Sequence, residues 1–226
     1  MHLVSMLGHD LLFQDVDIVW YKNPLEFFHN NKVVQDYDMV FQDDGARGLF
    51  YAPYSANTGF YYVRNNEKTR NFFNSFLMTG ERILAMFSHQ VPLVQHLSEH
   101  TSLFGLRVKI WERDEVEFPG GHTFHSRPGQ MKKIAKGEVE PYIFHQSWTD
   151  NKGDKIKYLR QMGHWYLKDE CQNVPKNEIL QEIGKILNNK DCCLAEPTIT
   201  CHYKDKPSII QCPDAPTIDA NGKSFW

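Results

Sequence analysis

An apolar run that closes on two carboxylates one residue apart, Leu11-Leu12-Phe13-Gln14-Asp15-Val16-Asp17-Ile18-Val19-Trp20, constrains this chain more than any other stretch. A short continuous apolar segment fits a strand of a parallel sheet covered on both faces. Open α/β sheets bind ligands at the carboxyl ends of such strands, which sets Asp15 and Asp17 at the mouth of a crevice. Spaced two apart in extended chain, both carboxylates can point the same way. A hard cation such as Mg2+ or Mn2+ takes oxygen ligands, commonly one or two carboxylates with substrate phosphates completing the shell. The pair therefore points to a metal–diphosphate site. The same spacing suits a solvated turn or a helix-capping pair, and the motif alone leaves both open.

Composition narrows the partners. With 226 residues the chain holds one large domain, or a domain with an appendage, and at 41% hydrophobic and 13% aromatic it is globular rather than disordered. A net charge of −3 without a dense Lys/Arg run argues against a nucleic-acid surface, so an anionic ligand needs a metal or a few placed cations. No apolar run reaches the roughly 18 residues that a membrane span requires. Met1 to Gly8 is too short and too polar for a signal peptide.

Along the chain, Met1–Gly8 reads as the last turns of a helix with Gly8 as its left-handed cap. Leu25–Phe28 is a short helix opened by Pro24, and Tyr37–Gln42 is a strand running into the turn signal Asp43-Asp44-Gly45. Asn57-Thr58-Gly59 precedes an aromatic strand, Phe60–Val63, and Asn65-Asn66 starts a helix with Phe72, Phe73, Phe76 and Leu77 in the core. Pro92 sits in the first turn of another helix. Leu106–Trp111 alternates as a strand, Arg127–Gly137 is polar loop, Tyr142–His145 is a short buried strand, and Lys155–Leu167 is a helix.

The texture changes at Asp169. Residues 169–226 carry all five cysteines, Cys171, Cys192, Cys193, Cys201 and Cys212, and are expected to form a small Cys-rich tail stapled by disulfides of unreadable connectivity, separate from a domain over 1–168. Zinc binding by Cys201, His202 and Cys212 is a minor alternative, since paired short spacings are missing.

The eighteen residues Leu7–Pro24 resemble the DxD segment of the nucleotide-diphospho-sugar transferase family, which includes plant cell-wall arabinosyl- and xylosyltransferases. Ser55–Arg64 looks like the family's second block and Glu140–Trp148 like its last, in the same order. The resemblance implies an α/β fold of GT-A type, a Rossmann-like mixed sheet flanked by helices. It also implies a glycosyltransferase that moves a sugar from a nucleotide sugar to a glycan or glycoprotein acceptor, with retention, using Mn2+ (or Mg2+), in the Golgi or another secretory lumen. The family's N-terminal anchor and first strand–helix unit are absent from these 226 residues, so part of the donor pocket is expected to be missing.

Carried onto this sequence, the resemblance makes Asp17 the direct metal ligand, Asp15 a ligand through water or a hold on the donor's ribose, and His145 the third ligand. Lys155 or Lys157 would meet the diphosphate as a point charge, and Asn57, Thr58 and Gly59 would line the donor or acceptor pocket. Gln90 would bind sugar hydroxyls and completes the catalytic set with Asp15 and Asp17, although His89 stands where the family's neighbouring acid is expected. Each residue has a plainer reading: a satisfied buried histidine for His145, a solvated helix face for the lysines, strand packing for Asn57–Gly59. Asp43, Asp44 and Asp114 are the next acids to consider. Two other functions stay open, a non-catalytic remnant that binds a glycan or partner, and a two-metal phosphoester hydrolase drawing on His122 and His125.

Overall fold

The structure, a computed structural model, describes residues 1–113, 115–121, 123, 130, 133–134, 137–148, 152–171 and 192–197. In chain order its elements are α1 (His2–Met6), β1 (Leu11–Gln14), β2 (Ile18–Trp20), α2 (Leu25–Asn30), α3 (Lys32–Asp36), β3 (Met39–Asp43), β4 (Ala56–Val63), α4 (Glu67–Leu77), α5 (Gly80–Met86), α6 (Gln90–Phe104), β5 (Val108–Ile110), β6 (Ile143–His145) and α7 (Lys152–Gln161). Four strands form a mixed sheet in the order β1-β4-β3-β5, and β2 pairs with β6 in a second, two-stranded sheet.

Alternation along β3 and β4 divides the interior into two apolar layers. Met39 and Phe41 of β3 join Tyr61 and Val63 of β4 on one face, packed with Phe72 and Phe73 of α4 and Leu93, Val94 and Leu97 of α6. Val40, Phe60 and Tyr62 turn to the other face, against Phe28, Val34, Trp111, Phe118 and Ile143. Every residue of β4 is buried, as expected for a strand with neighbours on both edges and helices or loops on both faces, and each such large apolar side chain contributes about 1.5–3 kcal/mol.

The DxD-bearing strand is not parallel. β1 pairs with β4 antiparallel, Leu11 opposite Val63 and Gln14 opposite Phe60, and it lies at the edge of the sheet. The same apolar run satisfies either direction, so the pattern could not choose. The parallel pair is β3 with β5. Other expectations shift too. Asn57-Thr58-Gly59 lies inside β4 instead of before it, and Leu77 is 63% exposed rather than core. α7 stops at Gln161, short of Leu167, where Gly163 takes φ +72. The polar loop over 127–137 has helical residues at Gln130, Lys133 and Ile134.

Local chemistry fixes the helix ends that matter for the site. Asn66 and Thr69 make a reciprocal capping box on α4, and Pro92 in the first turn of α6 lacks only an N–H that has no partner there. In the tail, Cys171 and Cys192 form a disulfide and Cys193 is a free, exposed thiol. Cys201, His202 and Cys212 lie outside the described residues.

Between α4 and α6, Ser75 Oγ lies 2.6 Å from His96 Nε2 and 2.8 Å from His100 Nε2. Ser75 Oγ also donates to Phe72 C=O at 3.2 Å, which leaves its lone pairs to accept Nε2–H from both imidazoles, an arrangement that two neutral rings satisfy. Burial lowers both pKa values, partly offset by Glu99, with Arg82 adding to the depression at His96 and His96 itself at His100. A histidine depressed in the folded state contributes stability above its unfolded value near 6.5, and the contribution is lost as pH falls below that. The thermal midpoint is therefore expected to drop between pH 7 and about 5, and a His96→Gln, His100→Gln double variant to show a flatter profile. An unchanged slope in that variant would assign the acid sensitivity elsewhere.

Candidate metal centre

The chain passes from one sheet to the other through Asp15-Val16-Asp17, and backbone bonds pin both ends of that passage. Asp15 N–H donates to Gly59 C=O at 2.7 Å, tying the turn to β4, and Gln146 N–H donates to Asp17 C=O at 3.0 Å, tying it to the end of β6. Val16 is fully exposed at the tip. The carboxylates therefore converge through a turn, not by the alternation of an extended strand.

Pairing of Ile18 with His145 in the second sheet brings a third candidate ligand to them. One ligand atom each from Asp15, Asp17 and His145 lies within 4.8 Å of the others. His145 is 2% exposed, and its Nδ1 lies 2.6 Å from Gln42 Oε1. An amide oxygen only accepts, and Gln42 is held in that orientation because its Nε2 donates to Pro119 C=O at 2.6 Å. His145 Nδ1 must carry the proton, which leaves the lone pair on Nε2, 3.6 Å from Asp17 Oδ1. A partner that sets the tautomer in this way is the usual support of a metal-binding histidine.

Asp17 Oδ1 is buried without a hydrogen-bond partner, a situation that costs about 1–3 kcal/mol for an ordinary polar group. An orphaned carboxylate oxygen facing an imidazole lone pair, with a second carboxylate close by, fits a divalent cation with O and N ligands. Burial by itself would raise the Asp17 pKa, but the positive charge that His145 carries when its Nε2 is also protonated, with the Lys155 ammonium, outweighs it and holds the group down to about 2. Lys155 Nζ, from α7, bonds directly to Asp17 Oδ2.

These groups line one cleft of about 380 Å³, and Asp15, Asp17, Asn57, Thr58, Gly59, Gln90, His145 and Lys155 all border it. Gly59 is there because nothing larger fits: a Cβ at this position would lie 2.6 Å from Asp15 Oδ2 and 2.9 Å from His145 Cε1. Gln90, at the start of α6, accepts from Thr58 N–H and Thr58 Oγ1, both at 3.1 Å. His89 Nε2 lies 3.0 Å from the same hydroxyl. The side chain of Lys157 lies outside the described residues, as do Asp114, His122 and His125.

Sequence reasoning left Asp44 as a loop acid, whereas it is 5% exposed and borders the cleft. Burial raises its pKa, opposed by hydrogen bonds from Gln90 and Asn57, and Asn57 Nδ2 donates to its Oδ1 at 2.9 Å. Gln42 and Trp148 were not assigned roles from the sequence at all; a glutamine closing the apolar run Met39–Phe41 was the one signal for the first. Asp43 stands apart. Burial would raise its pKa, but Arg47, bonded to both carboxylate oxygens at 2.8 Å, and Arg113 hold it below the usual range. It faces a neighbouring cavity of about 430 Å³, and Tyr51 borders both spaces.

Residues 1–159 match the nucleotide-diphospho-sugar transferase family. The chain belongs to that family. The matched span includes every cleft residue named above. The chain is also similar to a UDP-galactose:fucoside alpha-3-galactosyltransferase of Dictyostelium discoideum, 23% identical over 191 residues, covering 75% of this chain and 27% of that protein. It thus spans about a quarter of that relative's length. No solved structure matches it. The family's description implies a nucleotide-sugar donor, and the mixed sheet flanked by helices is consistent with a GT-A arrangement.

Proposed function

We propose that this chain carries the donor site of a retaining, divalent-metal-dependent glycosyltransferase of GT-A type, which moves a sugar from a nucleoside diphosphate to a hydroxyl of a glycan or glycoprotein acceptor. One observation carries the reading: Asp15, Asp17 and His145, from two distant parts of the chain, meet in one cleft beside Lys155. Asp17 and His145 Nε2 would hold Mn2+ or Mg2+ directly and Asp15 would complete the protein's share. When bound, such a cation stabilises the charge that grows on the departing diphosphate.

The chain's own groups supply the rest. Lys155 would turn its ammonium from Asp17 to the diphosphate as a point charge. Asn57, bonded to Asp44, and Gln90, bonded to Thr58, would form a polar wall for the hydroxyls of the transferred sugar. Asp44, which borders the same cleft as Gln90, would supply the carboxylate that the family pattern expects at position 89. The Cys171–Cys192 disulfide supports an oxidising compartment such as the secretory lumen, and the relative's name supports UDP as the nucleotide.

Calorimetric titration with UDP, with and without Mn2+, tests the reading. Binding that requires the metal is the expected result. Absence of binding in a folded sample would favour the second reading, a glycan-binding remnant, for which the histidine at position 89 speaks. Turnover of simple phosphodiesters would instead favour a hydrolase.

A further inference from the structure

We propose that Trp148 is the stacking platform for a pyranose ring of the acceptor, and so a specificity-determining residue of the transfer reaction proposed above. Two non-glycine residues have positive φ among those described, Phe87 at +49 and Trp148 at +58. Phe87 caps the end of α5, where the left-handed conformation is routine. Trp148 follows β6 and caps no described helix, and a bulky side chain in this region is strained. Strain of this kind is retained where a side chain must be presented in one direction.

The direction is into the cleft. Trp148 borders the same space as Asp15, Asp17 and Asp44, and its Nε1–H donates to Asp44 C=O at 2.8 Å, fixing the ring by its edge. Yet the residue is 49% exposed. An aromatic face held rigid beside carboxylates and amides suits a carbohydrate, whose C–H face lies on the ring while its hydroxyls reach the polar groups. The side chains of Lys155 and Asp17 are 32% and 11% exposed, so the indole, 49% exposed, lies on the open side of the cleft, where an acceptor enters once the donor is bound.

The test uses the full chain, tryptophan fluorescence and calorimetry, and a panel of methyl pyranosides of both anomeric forms, with and without UDP and Mn2+. Pyranoside binding that shifts the emission of the wild type is expected. Trp148→Phe should keep pyranoside affinity within about tenfold, while Trp148→Ala and Trp148→Gly lose more than that. The glycine variant removes the strain, so its thermal midpoint should not fall below that of the alanine variant. UDP affinity should stay within about twofold in all three, well short of the tenfold step that marks a lost contact. Unchanged pyranoside affinity in the alanine and glycine variants overturns the platform, as does a wild type that binds no pyranoside, or an equal loss of UDP affinity. Pyranoside binding without any UDP binding would sink the donor-site reading and leave the platform standing.

Discussion

Asp17→Asn is expected to reduce metal-dependent UDP binding by about a hundredfold or more, since removing even a group that supports a ligand typically costs 10–100-fold. The change keeps the shape of the side chain and removes its charge. Asp17 is held down to about 2 and so is an anion at any working pH; its replacement leaves Lys155 facing a neutral amide. The backbone bond from Gln146 N–H to Asp17 C=O does not involve the side chain, so the turn should persist. Circular dichroism should show a native spectrum, and the thermal midpoint without metal should move little. Retained UDP affinity in the presence of Mn2+ would remove Asp17 from the centre.

Gly59→Ala should disable the same candidate centre with all three proposed ligands intact. Its Cβ would meet Asp15 Oδ2 at 2.6 Å, Asn57 Oδ1 at 2.9 Å and His145 Cε1 at 2.9 Å, closer than carbon approaches such atoms without displacement. Relief is hard to find at the last two. His145 is tied to Gln42 at 2.6 Å and Asn57 bonds both Asp44 and Gly59 N–H, while the exposed Asp15 side chain relieves its own contact by swinging its Oδ2 out of the cluster. The methyl must spread the ligands or push β1 from β4. A loss of about 1–3 kcal/mol in stability is expected from overpacking, with metal-dependent UDP affinity falling about 10–100-fold. Gly48→Ala is the control, because no atom lies within 4 Å of a Cβ there. Denaturant melts and UDP titration of both variants decide it, and wild-type affinity in Gly59→Ala would show that the close approach is dispensable.

Much of the centre was legible because its chemistry is local. Asp15 and Asp17 announce themselves by spacing, and the glycine at 59 by standing immediately before an aromatic run. His145 was not local: nothing around it marks a ligand, and block order alone pointed to it. Gln42 escaped because its partner lies 103 residues away, so its role exists only once β2 pairs with β6. Asp44 escaped for a related reason, since a carboxylate after a strand reads as solvated until Asn57 and Gln90 close over it. The direction of β1 was not encoded in its apolar run, which any covered strand would satisfy. The early end of α7 was partly visible, because Gly163 marks a left-handed stop, but the apolar spacing continues past it and favoured the longer helix.

The turn from Asp15 to Asp17 also divides the chain by its tolerance to changes in length. Its two ends are fastened to different sheets, one through Gly59 C=O and one through Gln146 N–H, and three ladder pairs from Ile18–His145 to Trp20–Ile143 set the distance between them. Extra residues in surface connections such as the one around Gly48 leave both fastenings in place. One extra residue beside Val16 does not, because it must either release a fastening or slip the ladder, and a one-residue slip turns His145 away from Gln42. Related chains that keep this centre should therefore vary in loop length almost everywhere except across these three positions.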